Sequence, residues 1–157
     1  MVDTATTTPA PPKPHPRLRE FERFIGTWEM QGRTHDSDRD NVTARASFEY
    51  LPGGFFVAQR FTADFDGMPI ESLEIIGYDP ESDTFPSTVY ANMAATPLAY
   101  RWELDGDDVT IVTEELGATF RGRWSGESLS GGWRPNPGRE GPGNVPYDVS
   151  GRRATSA

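Results

Sequence analysis

The sequence predicts an all-β protein, an up-and-down antiparallel β-barrel of about ten strands with a short N-terminal helix closing one end. Glycine and proline account for 16 and 14 of the 157 residues, which favours turns and short strands over long helices. From Ile25 onward, apolar and polar residues alternate with the period of two that is typical of strands. Tight turn sequences such as Asp66-Gly67 and Asp105-Gly106 separate these runs. A closed barrel leaves strands of this kind without exposed edges.

Three segments divide the chain. Residues 1–15 are rich in Thr, Ala and Pro, so they are predicted to form a disordered tail. Residues 16–153 are predicted to form the barrel domain, and residues 154–157 a short C-terminal tail. The first residues lack the basic stretch followed by an apolar stretch that marks a secretory signal peptide, so we expect a cytoplasmic protein.

A short helix is predicted over residues 16–24, directly before the first strand. Pro16 suits the first helical position. Leu18, Phe21 and Phe24 recur at intervals of three, which places them on one face, and Gly26 ends the segment. A two-turn helix with one apolar face needs a surface to cover, and the end of a barrel provides one.

Ten strands follow, separated by turn signals. They are predicted over residues 25–33, 42–51, 54–65, 69–79, 84–93, 97–104, 108–115, 117–125, 128–135 and 145–153. A long turn-rich loop over residues 136–144 separates the last two strands. Long loops on barrels often gate the mouth, but an insertion that is merely tolerated also fits the sequence.

Composition excludes several classes of chemistry. The chain has no cysteine, which removes thiolate nucleophiles and cysteine-ligated metals. The only lysine, Lys13, and the histidines His15 and His35 lie in the tail or beside an acidic loop, so an acid or base inside the barrel must be a carboxylate or a tyrosine. A net charge of −9 disfavours binding to nucleic acid or to a membrane surface. Nucleotide-binding and acyl-transfer motifs are absent, and no cofactor is expected.

Alternation within the strands predicts which side chains face the barrel interior. That interior is strongly aromatic and contains only a few polar groups. Because a barrel of ten strands is too wide for side chains to fill completely, a ligand cavity is expected. The predicted ligand-binding residues are Tyr50, Phe55, Val57, Gln59, Phe61, Ile76, Tyr100, Trp102, Phe120, Trp124 and Trp133. The alternative is that these aromatic residues simply fill the core.

The fourth strand has two possible orientations. One places Glu74 inside the barrel. The other places Leu73 and Ile75 in the core and leaves Glu74 in solvent, and the pattern leans towards this second orientation. The fifth strand is similarly ambiguous, so the orientation of Tyr90 and Asn92 also stays open.

An inward-facing Glu74 would be the candidate catalytic residue. Burial among aromatic side chains raises the pKa of a carboxyl group towards the range of a useful general base. Gln59 on the neighbouring strand is placed to hold that carboxylate or a substrate carbonyl. Tyr50, Tyr78, Tyr100 and Tyr147 are then the candidate donors of hydrogen bonds to a developing oxyanion, and Tyr100 and Tyr147 are assigned the catalytic role.

An acidic loop precedes the second strand. Asp36, Asp38 and Asp40 alternate there in a pattern that resembles the start of a calcium loop. Asn41 and Ser47 occupy the positions at which such a loop requires Gly and Glu. A solvated loop is therefore expected, with no metal site.

Arginine is used 14 times and lysine once. Arg60, Arg101, Arg121 and Arg123 fall on the polar faces of their strands, where pairing with surface carboxylates is expected. A local reversal of strand orientation would instead let Arg60 or Arg101 anchor a ligand carboxylate.

Two resemblances to known families rest on these motifs. Residues 26–28 (GTW), after a short helix, resemble the Gly-x-Trp signature of calycins, the superfamily of lipocalins and fatty-acid-binding proteins. In that pattern the Trp closes one barrel end under an Arg from the last strand, and Arg152 or Arg153 would supply it here. More closely, residues 24–28 (FIGTW), 53–56 (GGFF), 75–80 (IIGYDP) and 131–133 (GGW) resemble uncharacterised bacterial lipocalin-like barrels known only as a domain of unknown function. This resemblance spans residues 18–153 and implies a fold without an established activity.

Nitrobindin-like haem barrels are a more distant resemblance, again near residues 26–28. Those proteins place a haem-ligating histidine late in the chain, and no histidine follows His35 here. Tyr147 is a chemically acceptable ferric ligand, but haem is not expected.

Three functions are compatible with this sequence. The leading hypothesis is that the barrel binds a small, largely apolar molecule in its aromatic-lined cavity. The second is a cofactor-independent enzyme of the cyclase or isomerase type, using the inward carboxylate and tyrosine hydroxyls. The third is a homodimeric interaction domain whose barrel is plugged by its own side chains. The sequence leaves open whether the protein is a monomer or a homodimer.

Overall fold

The computed structural model describes residues 7–155 and confirms the predicted fold class. Ten antiparallel strands close into a barrel in which each strand pairs with its neighbours in sequence and the last pairs with the first. The strands are β1 (Gly26–Thr34), β2 (Val42–Tyr50), β3 (Val57–Phe65), β4 (Met68–Ile76), β5 (Phe85–Ala91), β6 (Leu98–Asp105), β7 (Asp108–Thr113), β8 (Ala118–Ser125), β9 (Ser128–Pro135) and β10 (Tyr147–Arg153). A single helix, η1 (Pro16–Phe24), precedes them.

Helix η1 is a 3-10 helix, which explains its apolar spacing. With three residues per turn, side chains three apart lie directly above one another, so Leu18, Phe21 and Phe24 form one line. All three are buried. His15 caps the helix by accepting a hydrogen bond from the Arg17 backbone N–H at 3.1 Å. Packing of these three side chains against the inside of the barrel holds the helix in place.

The predicted tails have little regular structure where the structure describes them. Residues 7–15 belong to no helix or strand, and neither do residues 154–155. Residues 1–6 and 156–157, which belong to the predicted tails, lie outside the described residues. Within the described part of the chain, no helix is long and apolar enough to cross a membrane.

The two ends of the barrel differ. Helix η1 closes the end formed by the start of β1, the end of β2 and the matching ends of the other strands. At the opposite end lie the turns β1–β2, β3–β4, β5–β6 and β7–β8 and the long β9–β10 loop. We call the part of the interior next to helix η1 the plugged half, and the part at the opposite end the open half. The register places Glu74 across from Gln59 and Val89, near the level at which the halves meet.

Strand β3 is shorter than predicted. It begins at Val57 rather than residue 54, because residues 52–55 form a turn in which Gly53 and Gly54 adopt positive φ values of 93° and 77°. Phe55 therefore lies in this turn and not on the inward face of β3. Its assignment as a barrel-lining residue was wrong.

Candidate functional site

The plugged half is solidly packed with aromatic side chains. Phe21 packs edge-on against Phe85, with ring centroids 4.9 Å apart, and Phe24 packs in the same way against Trp124 at 4.8 Å. The fully buried side chains of this half include Phe21, Phe24, Trp28, Val57, Ile76, Phe85 and Trp102. These contacts leave this end of the barrel closed by its own core.

Trp28 contacts both helix η1 and the last strand, β10. Its indole N–H donates to the Phe24 carbonyl oxygen at 2.8 Å. The Arg153 guanidinium lies 4.5 Å from the centroid of the Trp28 ring, a cation–π contact. Arg153 also donates to the backbone carbonyls of Arg23 and Ile25. The arginine of the last strand that stacks on Trp28 is therefore Arg153.

Glu74 is buried inside the barrel at the floor of the open half. It is only 5 % exposed. Its Oε2 accepts hydrogen bonds from Ser87 Oγ at 2.6 Å and from Trp102 Nε1 at 2.8 Å. Both bonds end on the same oxygen, and no donor among the described residues reaches Oε1. The carboxyl group is thus held in one orientation with one oxygen available to a ligand.

The pKa of Glu74 is raised by its burial, and the hydrogen bonds from Ser87 and Trp102 oppose that shift only in part. Desolvation disfavours the charged form of a carboxyl group, whereas donors to the carboxylate favour it. No charged side chain contributes to the shift. The pKa of Glu74 is therefore set by its burial in the barrel and by two neutral hydrogen-bond donors.

The open half is lined by aromatic residues that are surrounded by protein and still partly exposed. Trp133 lies between Tyr100 and Phe120, with ring centroids 6.1 Å and 5.8 Å away. On the other side, Phe65 and Tyr147 pack edge-on at 5.0 Å. Side chains that face inward and remain partly exposed present an accessible surface at this end of the barrel. Those partly exposed residues are Gln59, Phe61, Phe65, Tyr100, Trp133 and Tyr147.

The two tyrosines of the open half, Tyr100 and Tyr147, are neutral hydrogen-bond donors. Desolvation, followed by the nearby Glu74 and Glu115 carboxyls, raises the pKa of Tyr100 to about 12. Burial also raises the pKa of Tyr147 well above its ordinary value. Tyr50 and Tyr78 donate their hydroxyls to Leu18 and Asp83, but the hydroxyls of Tyr100 and Tyr147 have no protein acceptor among the described residues.

Exposed apolar residues surround the mouth of the open half. Met68 begins β4, and Met93 and Leu116 lie in the β5–β6 and β7–β8 turns. Their exposed fractions are 51 %, 58 % and 48 %. Apolar side chains are therefore among those that a molecule entering from this end would meet.

The β9–β10 loop is fastened beside this mouth. Arg139 donates to the carbonyl oxygens of Glu114 and Glu115, each at 2.9 Å. Asn144 Nδ2 donates to the carbonyl of Gly117 at 3.0 Å. The loop therefore lies against the β7–β8 turn at the open end, which is where a gating loop was expected.

The structure places the predicted catalytic residues in the same half of the barrel. Glu74 faces inward, so the outward orientation favoured by the sequence pattern was wrong. The reason is that Ile76 and Glu74 share the inward face of β4, and polar partners on β5 and β6 satisfy the carboxyl group. Tyr100 and Tyr147 also lie inside, and the Glu74 charge contributes to the pKa of Tyr100.

The predicted ligand-binding residues separate into two groups. Val57, Ile76, Trp102 and Trp124 belong to the packed core of the plugged half, where each is at most 5 % exposed, so their assignment as cavity lining was wrong. Tyr50 is bonded to helix η1 through the Leu18 carbonyl at 2.7 Å. The lining of the open half retains Gln59, Phe61, Tyr100 and Trp133. Phe120 is only 5 % exposed and packs against Trp133 in the core, so its assignment as cavity lining was also wrong.

Sequence reasoning missed Ser87, which fixes the Glu74 carboxyl group. Alternation in β5 would have found it, since Phe85, Ser87 and Val89 share the inward face.

The outward orientation of Tyr90 follows from the same pattern, and Tyr90 is 52 % exposed. Asn92 lies in the turn after β5, where it accepts a hydrogen bond from the Glu71 backbone.

Several charged residues on the outside of the barrel form ion pairs. His35 lies 3.2 Å from Asp148 on the surface, and Arg33 pairs with Asp40 of the acidic loop at 3.0 Å. Arg101 lies 3.5 Å from Glu103, and Arg123 lies 3.6 Å from Asp107. Such exposed pairs contribute little to stability.

A shallow groove of about 760 Å³ runs along the outside of β8, β9, β10 and β1. Most of the residues that line it are polar, with Glu29, Arg123, Ser128 and Ser150 among them. Only Met30 and Leu129 contribute apolar side chains, and the groove has none of the aromatic residues typical of a small-molecule site. The open half of the interior is the better candidate.

Fold and site together define a closed ten-stranded barrel with one plugged end and one aromatic, partly accessible end. The chain belongs to the family described as "Protein of unknown function (DUF1579)", whose model matches residues 11–129. A search of curated proteins finds no match. Among solved structures, the crystal structure of Rv2717c from M. tuberculosis is similar, with a TM-score of 0.59 and 13 % sequence identity. The match covers 91 % of this chain and 100 % of that one, and at this identity it shows the fold alone.

Proposed function

We propose that the protein binds a small, largely apolar molecule in the open half of its barrel. The observation that carries this proposal is the contrast between the halves. The plugged half is filled by its own aromatic side chains, whereas aromatic residues of the open half stay partly exposed on an inward surface. Aromatic walls with a few fixed polar groups are the usual composition of a small-molecule site. The apolar rim of Met68, Met93 and Leu116 supports the same function.

Native mass spectrometry of the gently purified protein tests this proposal. We expect an additional mass of a few hundred daltons that is lost on denaturation. The variant Ala63→Phe, which fills inward space between Phe61 and Phe65, is expected to lose it. The control Thr62→Phe places the same ring on the outer face and is expected to keep it. Equal adducts in both variants, or apo protein that binds no apolar compound in a thermal-shift screen, would contradict the proposal.

A second candidate function is catalysis, and the free Oε1 of Glu74 favours it. A buried carboxyl group with a raised pKa is suited to proton transfer near neutral pH. Tyr100 and Tyr147 would supply donors to developing negative charge. Glu74→Gln distinguishes the two functions. If the protein is an enzyme, the variant retains the substrate in place of the product, and the two compounds differ in chromatographic retention even where an isomerisation leaves the mass unchanged. If the protein is a binder, any molecule that the variant retains is the same compound as in the wild type.

We further propose that the barrel is calycin-like. The support is the Gly-x-Trp sequence at the start of β1, together with Arg153 of β10 stacked on Trp28 at 4.5 Å. This contact closes the plugged end, as the resemblance implies.

A further inference from the structure

We propose that the open half selects a hydrophobic organic cation, an apolar molecule whose protonated amine binds Oε1 of Glu74. This inference deepens the proposed binding function and rests on it. It names the charge of the ligand and the atom that receives it.

The charges inside the barrel are strongly one-sided. Among the inward positions of the ten described strands, Glu74 is the only carboxylate, and the only cation is Arg153. Arg153 is at the plugged end, stacked on Trp28 and bonded to the backbone of the plug. Along the strands of the open half a ligand therefore meets one acidic side chain and no basic one, and the Glu115 carboxyl near Tyr100 adds a second negative charge at the mouth.

The geometry of Glu74 leaves one acceptor for such a ligand. Ser87 and Trp102 both donate to Oε2, which fixes the carboxyl plane and keeps these two donors away from Oε1. An ammonium group beside Oε1 favours ionisation of the Glu74 carboxyl group, and its N–H then donates a charge-assisted hydrogen bond. A ligand carboxylate instead brings a second negative charge beside Glu74, which disfavours ionisation of both groups.

The walls of the open half suit a cation as well. Tyr100 and Trp133 are both partly exposed and pack edge-on with ring centroids 6.1 Å apart, and the buried Phe120 ring packs against Trp133 at 5.8 Å. Aromatic faces attract organic ammonium groups, most strongly where water is excluded. The net charge of −9 raises the local concentration of cations around the protein.

Three probes that differ only in their polar end test this inference: 4-phenylbutylamine, 4-phenylbutan-1-ol and 4-phenylbutanoate. Isothermal titration of the full chain near neutral pH is expected to give the order amine, alcohol, carboxylate. The amine should bind about tenfold more tightly than the alcohol, which corresponds to one charge-assisted hydrogen bond. Equal affinity for amine and alcohol, or preference for the carboxylate, would overturn the inference and leave the binding function intact. Failure of all three probes to bind would count against both.

Two variants locate the effect. In Glu74→Gln the preference for the amine over the alcohol is expected to disappear, while alcohol binding persists. Glu71→Gln removes the same charge from the outer face of the same strand and is expected to keep the preference. Loss of preference in both variants would show a general effect of net charge and overturn the assignment to Glu74. If Glu74→Gln fails to fold, Ala63→Phe must abolish binding of the amine and the alcohol alike, and an amine that still binds would overturn the inference.

Discussion

The two halves of this barrel are built from the same ten strands and differ in what fills them. Helix η1 inserts Leu18, Phe21 and Phe24 into one end, where they complete an aromatic core with Phe85 and Trp124. At the other end the inward aromatic residues Phe61, Phe65, Tyr100, Trp133 and Tyr147 are partly exposed. One short segment can therefore fill half of a wide barrel and leave inward side chains of the other half partly exposed.

The largest expected difference between the halves concerns stability. Phe21→Ala removes a fully buried ring from the plug and is expected to lower the free energy of unfolding by about 3–5 kcal/mol. Phe61→Ala truncates the same side chain in the open half, where it is partly exposed, and is expected to cost about 1 kcal/mol. Urea denaturation of both variants measures the difference. Equal losses would mean that the open half is packed as tightly as the plugged half.

Loss of the Arg153 contacts at the plugged end should have the next largest effect. Arg153→Met removes the cation–π contact with Trp28 and two hydrogen bonds to backbone carbonyls. We expect a loss of about 2 kcal/mol without any change in ligand affinity. Arg152→Met, on the exposed outer face of the same strand, is the control and should be nearly neutral. A loss of ligand affinity in Arg153→Met would show that the two halves are coupled.

Glu74 should make stability depend on pH. Its native pKa is raised, so the folded protein holds this proton more tightly than the unfolded chain does. The free energy of unfolding therefore falls as pH rises from the ordinary pKa of 4.5 to the raised native value. The slope of this contribution is at most about 1.4 kcal/mol per pH unit.

Glu74→Gln removes this contribution and still accepts hydrogen bonds from Ser87 and Trp102 through its amide oxygen. Chemical denaturation at a series of pH values should show a flatter profile for Glu74→Gln than for the wild type. An unchanged profile would contradict burial of the carboxyl group at the floor of the site.

The smallest effect is expected at the mouth. Arg139→Ala releases the β9–β10 loop from the carbonyls of Glu114 and Glu115, at a cost of about 1 kcal/mol. Hydrogen exchange should accelerate at the Asn136 amide, which donates to Gly117 in the fastened loop. A ligand should also dissociate faster if the loop limits its exit. Unchanged exchange would show that the loop is held by other contacts.

The sequence predicts the fold well because alternation and turns are local signals. The strand limits agree to within a few residues, and the line formed by Leu18, Phe21 and Phe24 predicts a helix that covers a barrel end. The orientation of β4 was not predictable in the same way. Both of its faces carry apolar residues, and Glu74 faces inward because Ser87 and Trp102, which are distant in sequence, satisfy it.

The division into two halves was equally hidden from the sequence. Trp124 and Trp133 show the same inward pattern, yet one belongs to the plug and the other lines the open half. Their difference depends on how deeply helix η1 inserts, and this is a property of the assembled barrel rather than of any local pattern.

The four tryptophans provide the most direct test of the central claim. Trp28, Trp102 and Trp124 are at most 5 % exposed in the plugged half, and Trp133 lines the open half. Titration with 4-phenylbutan-1-ol, followed by NMR of the four indole N–H signals, should shift Trp133 most and Trp28 least. Trp102 should respond weakly through its bond to Glu74. A largest shift at Trp28, or shifts in no indole signal while the compound binds, would contradict a ligand site in the open half.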